Sequence, residues 1–97
     1  MIVNIHSTPN GKMLAICDKN LLGKTFEEGE LQLDLSTRFY QGEDMPDDLL
    51  AELVKEARII NAVGEESVRF LREHKLIEDS NTQKIAGIPH AQCVIDR

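Results

Sequence analysis

The sequence predicts an α+β domain: an antiparallel β-sheet of four to five strands with a two-helix hairpin packed on one face, in the order β-β-β-α-α-β(β). Three observations carry this reading. Leu31, Leu33 and Leu35 alternate with Gln32, Asp34 and Ser36, the period of a half-buried strand. Leu49, Leu50, Leu53, Val54, Ala57 and Ile60 recur at helical spacing. Thr8-Pro9-Asn10-Gly11 sets an Asn-Gly turn between two apolar runs, a strong hairpin signal.

In chain order, Ile2 to His6 is short and β-rich and forms the first arm of that hairpin. Lys12 to Cys17 is the second arm; it is apolar on both sides from Met13 onward, which predicts a central strand covered on both faces. Residues 18–29 read as a loop ending in Glu27-Glu28-Gly29, and residues 37–46 as a second loop holding the single tyrosine, Tyr40. Pro46-Asp47-Asp48 opens a helix, because proline suits the first turn and acidic side chains there complement the helix dipole. Gly64 breaks the helical pattern, and Glu65-Glu66-Ser67 starts a shorter second helix with Val68, Leu71 and either His74 or Ile77 inward. After a turn at Asp79-Ser80-Asn81, Lys84 to Ile88 and Gln92 to Ile95 are β-like. Pro89 stands between them and has no N–H to give a ladder, so an edge, bulge or turn is expected there.

A chain of 97 residues fits one domain, 1–97. With 41% hydrophobic residues, no Trp, one Tyr and three Phe, its core is aliphatic. The net charge of −6 excludes a general polyanion or DNA binder, because neutralising phosphates takes clustered Lys and Arg. Arg69, Arg72 and Lys75 nevertheless recur at i, i+3, i+6 on the second helix, a stripe that reads first as a solvated face and second as an RNA or DNA contact. The N-terminus lacks the basic and apolar regions of a signal peptide, and no run of about 18 apolar residues exists to span a membrane. Two cysteines are too few for a disulfide scaffold, so a cytoplasmic protein with reduced thiols is expected.

Several chemistries fail on spacing. Gly23-Lys24-Thr25 ends like a phosphate-binding loop, but Asp18 stands where its first glycine belongs. Cys17, Cys93, His6, His74 and His90 show none of the close ligand pairs of a zinc site, and residues 43–48 lack the calcium-loop pattern, so neither metal nor cofactor is expected. Cys17 with His90 has no third orienting group to make a nucleophile and base. Gly64 is a lone turn glycine flanked by Glu65 and Glu66, which repel the phosphate a helix-hairpin-helix would bind. Gly87-Ile88-Pro89-His90-Ala91-Gln92 is the most unusual segment. Gly and Pro constrain the backbone, and His90 and Gln92, two apart, share one face if extended.

Four stretches together resemble a small archaeal family, domain-of-unknown-function family 424. They are Cys17-Asp18 with residues 21–29, Phe39-Tyr40 with Gly42-Glu43, Asn61 with Val63-Gly64-Glu65, and Gly87 with Pro89-His90-Ala91-Gln92. Gln41 stands where the family has Gly, and Cys93 where it has an aliphatic residue. The resemblance runs end to end and implies an archaeal cytosolic protein, but brings no activity with it.

The motif residues fall in the loops expected at 21–29, 39–43 and 87–92, and loop residues of fixed identity point to function. The candidate binding residues are Lys24, Thr25, Tyr40, His90 and Gln92, with Arg69, Arg72 and Lys75 as a basic patch. The leading expectation is a non-enzymatic binding or adaptor module for a protein or ribonucleoprotein partner, near translation and acting through those loops. The alternative is a small-ligand protein or enzyme using His90 as acid or base in a pocket with Lys24 and Tyr40. A monomer or weak homodimer is expected.

Overall fold

Ile2–Thr8 (β1) and Gly11–Cys17 (β2) pair antiparallel around Pro9-Asn10, with Thr8 opposite Gly11. This is the expected hairpin, and β2 is buried from Leu14 to Cys17. The computed structural model describes residues 1–96. Its remaining elements are β3 (Thr25–Glu28), β4 (Leu31–Asp34), β5 (Glu43–Asp44), α1 (Asp47–Val54), β6 (Ala57–Val63), α2 (Glu65–Glu73), β7 (Thr82–Ile85) and β8 (Ile88–Val94).

Among the described residues the main sheet has six strands in the order β5-β1-β2-β6-β8-β7, and β3-β4 form a separate two-stranded sheet. The sheet is mostly antiparallel, but β2 and β6 run parallel, with Leu14 opposite Ile60 and Cys17 opposite Val63. Both helices pack on one face, where Leu50, Val54, Phe70 and Leu71 meet Leu14, Ile16, Ile60 and Ala91. On the opposite face, Leu33, Leu35, Phe26 and Tyr40 cover only one end, over Cys17, Val63, Ile85 and Ile88.

The expected helix hairpin is corrected here. The first helix stops at Val54, and Ala57–Val63 is a strand, β6, between β2 and β8. Ala57 and Ile60 matched the helical period because β6, ARIINAV, is apolar at five of its seven positions, dense enough for a helical period to fit it as well. The β-branched Ile59, Ile60 and Val63 favour the extended form, and a helix of eight residues gains little from propagation against that pairing. Gly64 therefore joins β6 to α2 rather than one helix to another. The loop expected over 18–29 contains β3, and residues 88–92 lie within β8 rather than in a loop. Leu33 and Leu35 are buried as the alternation requires, whereas Leu31 is exposed.

Pro89 lies inside β8, opposite Lys84 of the neighbouring β7, and not at an edge. It is tolerated because β6 has ended beside it. Gly64 N–H donates to the Pro89 carbonyl (2.8 Å), while the Gly64 carbonyl is already taken by Val68 N–H at the start of α2 (3.0 Å). No acceptor there waits for the N–H that proline lacks.

Asp18 fixes α2 to the sheet. Its carboxylate accepts the N–H groups of Glu66 (3.0 Å) and Ser67 (2.8 Å) and the Ser67 hydroxyl (2.7 Å), satisfying donors the helix start leaves unpaired. Gly64 approaches so closely that a Cβ there would overlap this carboxylate, and its φ of 107° is one that side chains avoid. The Asp18 and Gly64 of the family pattern are thus two halves of one joint.

Candidate functional site

The uncovered half of the sheet face opposite the helices carries polar side chains in transverse rows. Asn4, Ala15, Asn61 and Gln92 are successive partners across β1, β2, β6 and β8. In the next row Cys17, Val63, His90 and Gln83 follow one another across β2, β6, β8 and β7. Successive residues of a strand point to opposite faces, so His90 and Gln92 share this face while Pro89, Ala91 and Cys93 point to the helices.

Polar groups on this face divide into two sets. Those on β1 are tied down. Asn4 Nδ2 donates to the carbonyls of Arg38 (3.0 Å) and Phe39 (3.2 Å), and His6 Nε2 lies 3.1 Å from the Phe39 carbonyl with its ring stacked on Phe39. They hold residues 36–42 against the sheet.

The second set is not. Tyr40, Asn61, Gln83, His90 and Gln92 line a cleft of about 460 Å³, with Ser80 and Asn81 at its rim. His90 Nε2 is buried and has no hydrogen-bond partner in the protein. Asn61 Nδ2 reaches only the Met13 thioether, at 3.5 Å, a weak acceptor. Among the described residues no Asp, Glu, Lys or Arg lines this cleft. Burial, and secondarily the nearby Cys17, push the Tyr40 hydroxyl above its ordinary pKa, so it is a neutral donor and acceptor.

The structure brings Tyr40, His90 and Gln92 together and leaves the other candidates outside. Lys24 is exposed on the β3-β4 side, where its backbone bonds Leu21 (3.1 Å) and Leu35 (2.8 Å). The Thr25 hydroxyl donates to Asp34 (3.0 Å). Arg72 pairs with Asp79 (2.9 Å), and Lys75 lies past the end of α2 with φ 59°, so the basic stripe is cut short. Arg69 lines a second cleft, of about 510 Å³, together with Lys19, Glu65 and Glu66, whose charges are mixed.

Sequence reasoning placed Asn61 on a helix and missed its part in the cleft, together with Gln83. Reading residues 57–63 as a strand would have set Asn61 beside Gln92. Cys17 and His90 share a row but are separated by Val63, two strand spacings or about 9.6 Å. Burial, with Asp18 as a lesser cause, pushes the Cys17 thiol up to about 11, and its Sγ donates to the Asp18 carbonyl (3.2 Å). It is therefore a core thiol and not a nucleophile. Among the described residues no three His, Cys, Asp or Glu side chains gather as a metal site. No helix is long and apolar enough to cross a membrane.

The chain is similar to a solved structure described as an uncharacterized conserved protein from Methanopyrus kandleri. The two are 30% identical with a TM-score of 0.82, over 99% of this chain and 92% of that one. No curated protein matches the chain. Residues 5–95 match the family described as protein of unknown function (DUF424), so the protein belongs to that family.

Proposed function

We propose that the protein is a non-enzymatic binding module whose ligand site is the cleft beside β8, which no Asp, Glu, Lys or Arg lines among the described residues. The observation that carries this reading is the buried His90 Nε2, which has no protein partner, beside a cleft that Asn61, Gln83 and Gln92 also line. A buried polar atom left unpaired costs about 1–3 kcal/mol, and a ligand that draws the imidazole out toward the cleft recovers that cost on binding. The same fold satisfies Asn4 and His6 with a neighbouring loop. The two treatments of similar side chains on one face mark the second set as kept for something outside the chain.

Catalysis fits the lining poorly. His90 is accompanied by one ionisable side chain, the neutral Tyr40, and Lys24 is elsewhere. An imidazole alone has no nucleophile to activate and no group to orient it. What the lining offers is selection: amide, imidazole and phenol groups that pair with an uncharged polar group and give a charged one no counter-ion.

Amide and ring NMR spectra, recorded while neutral polar fragments are titrated in, test this. Shifts confined to Tyr40, Asn61, Gln83, His90 and Gln92 are expected, and Gln92→Leu should abolish them with little change in stability, since Gln92 is exposed. Shifts that map instead to Lys19 and Arg69, or none at millimolar fragment, would overturn the assignment.

A further inference from the structure

We infer that this cleft reads the hydrogen-bonding edge of a nucleobase, an inference that rests on the cleft being the ligand site. Asn61 faces Gln92 across β6 and β8, and His90 faces Gln83 across β8 and β7. Strand spacing and residue repeat put these positions on a grid with cells of about 4.8 by 6.8 Å, so the four span about 9.6 by 6.8 Å, room for one planar ring system. Each amide presents a donor beside an acceptor, the pairing that matches a base edge in two bonds at once. Asn61 gives up only a thioether contact to do so. The half-buried Tyr40 forms part of the wall and supplies a ring for a base to lie against.

Charge selects the base over the phosphate. No Lys or Arg lines the cleft among the described residues, and the protein carries −6 overall, so a phosphate gains little attraction. This inverts the usual balance, in which the backbone supplies affinity and the bases add specificity. The base can come from a free nucleoside or from an unpaired position in single-stranded RNA; the chemistry read by the cleft is the same.

NMR-mapped titrations with the four common ribonucleosides, their 5′-monophosphates, short single-stranded oligoribonucleotides and capped dipeptides test the inference. At least one nucleoside should shift the Asn61 and Gln92 side-chain amides and the His90 ring. Its monophosphate should bind no tighter, and binding should respond little to salt. Gln92→Leu should weaken it by about tenfold or more, the worth of one bidentate amide contact. An oligonucleotide that binds tighter than its nucleosides at these residues supports the inference and assigns RNA as the source; one that binds no tighter supports it and assigns the free nucleoside. Monophosphates about tenfold tighter than nucleosides would overturn it, because the phosphate would then carry the binding. Capped dipeptides shifting the cleft while no nucleoside does would also overturn it, leaving the cleft as a ligand site for another class. Silence from every probe would remove both.

Discussion

Replacing Asp18 by alanine removes the carboxylate that holds α2 to the sheet. Asp18 is 5% exposed and Ser67 fully buried, so the donors left behind have little access to water. Hydrogen bonds to a charged group contribute about 1.5–3 kcal/mol each. The exposed Glu66 brings water to its own N–H, which leaves the two Ser67 donors as the main loss, about 3–6 kcal/mol. That is a large share of the roughly 5–15 kcal/mol that keeps such a domain folded. Asp18→Asn keeps the shape and one acceptor and should cost about half as much. Urea unfolding followed by circular dichroism measures both, read as a change of midpoint at constant slope. Gly64→Ala adds a second arm. Its Cβ overlaps the carboxylate in the wild type but has room once Asp18 is alanine, so the two costs should be less than additive. Strict additivity, or an Asp18→Ala cost under about 1 kcal/mol, would refute the joint as described.

Ala86 sits at φ 52° beside Gly87 at φ 80°, so Ala86→Asn, which tolerates that region better, should stabilise by about 0.5–1 kcal/mol and raise the thermal midpoint by about 3–6 °C; a fall in calorimetry would contradict it. Gly42→Ala should destabilise by about 1–3 kcal/mol because its Cβ would overlap the Val3 carbonyl, and the urea midpoint reads this directly. The Cys17 thiol ionises near 9 when unfolded but is held protonated to about 11 when folded. Between those values the unfolded chain binds fewer protons than the native one, so stability is full below pH 9 and falls with a slope approaching one proton per molecule up to pH 11. The raised Tyr40 adds in the same direction, and Cys17→Ala should flatten the decline measured by urea midpoints across that range. Arg72→Ala breaks an exposed ion pair with Asp79 and should change stability by less than about 1 kcal/mol, a difference that shrinks in high salt.

What the sequence made legible follows from which physical signals are local. The β1-β2 hairpin was readable because its turn residues and its two β-rich, apolar arms lie within one short window. The extent of α1 was not, because Ala57 and Ile60 are apolar for a reason outside that window: β6 is paired on both sides, and its Ala57, Ile60 and Ala62 are buried under the helices. The same misreading hid half of the candidate site, since Asn61 meets Gln92 only when residues 57–63 are extended. Tyr40, His90 and Gln92, which the family pattern marks, line one cleft. Lys24 and Thr25 belong to the same pattern, but no periodicity separates a residue that builds the β3-β4 hairpin from one that faces the cleft.

That division runs through the whole pattern. Asp18 and Gly64 lock α2, and Gly42 lets residues 41–43 lie against β1. Glu28 accepts the Ala86 N–H (3.1 Å), holding the turn between β7 and β8 against β3. The turn residues, both at positive φ, form the two-residue connection whose twist suits a tight hairpin, and so fix Ile85 opposite Ile88 and Gln83 opposite His90. Register is what aims the site. A slip of one residue would turn His90 and Gln92 toward the helices and bring Pro89, Ala91 and Cys93 out onto the open face. The strained Ala86 and the Gly87 beside it therefore act on the cleft without touching it: they decide which side of β8 carries the polar groups. On this account Ala86→Asn should leave ligand binding intact while it stabilises the fold, whereas adding a residue to the turn should abolish binding even in a protein that still folds.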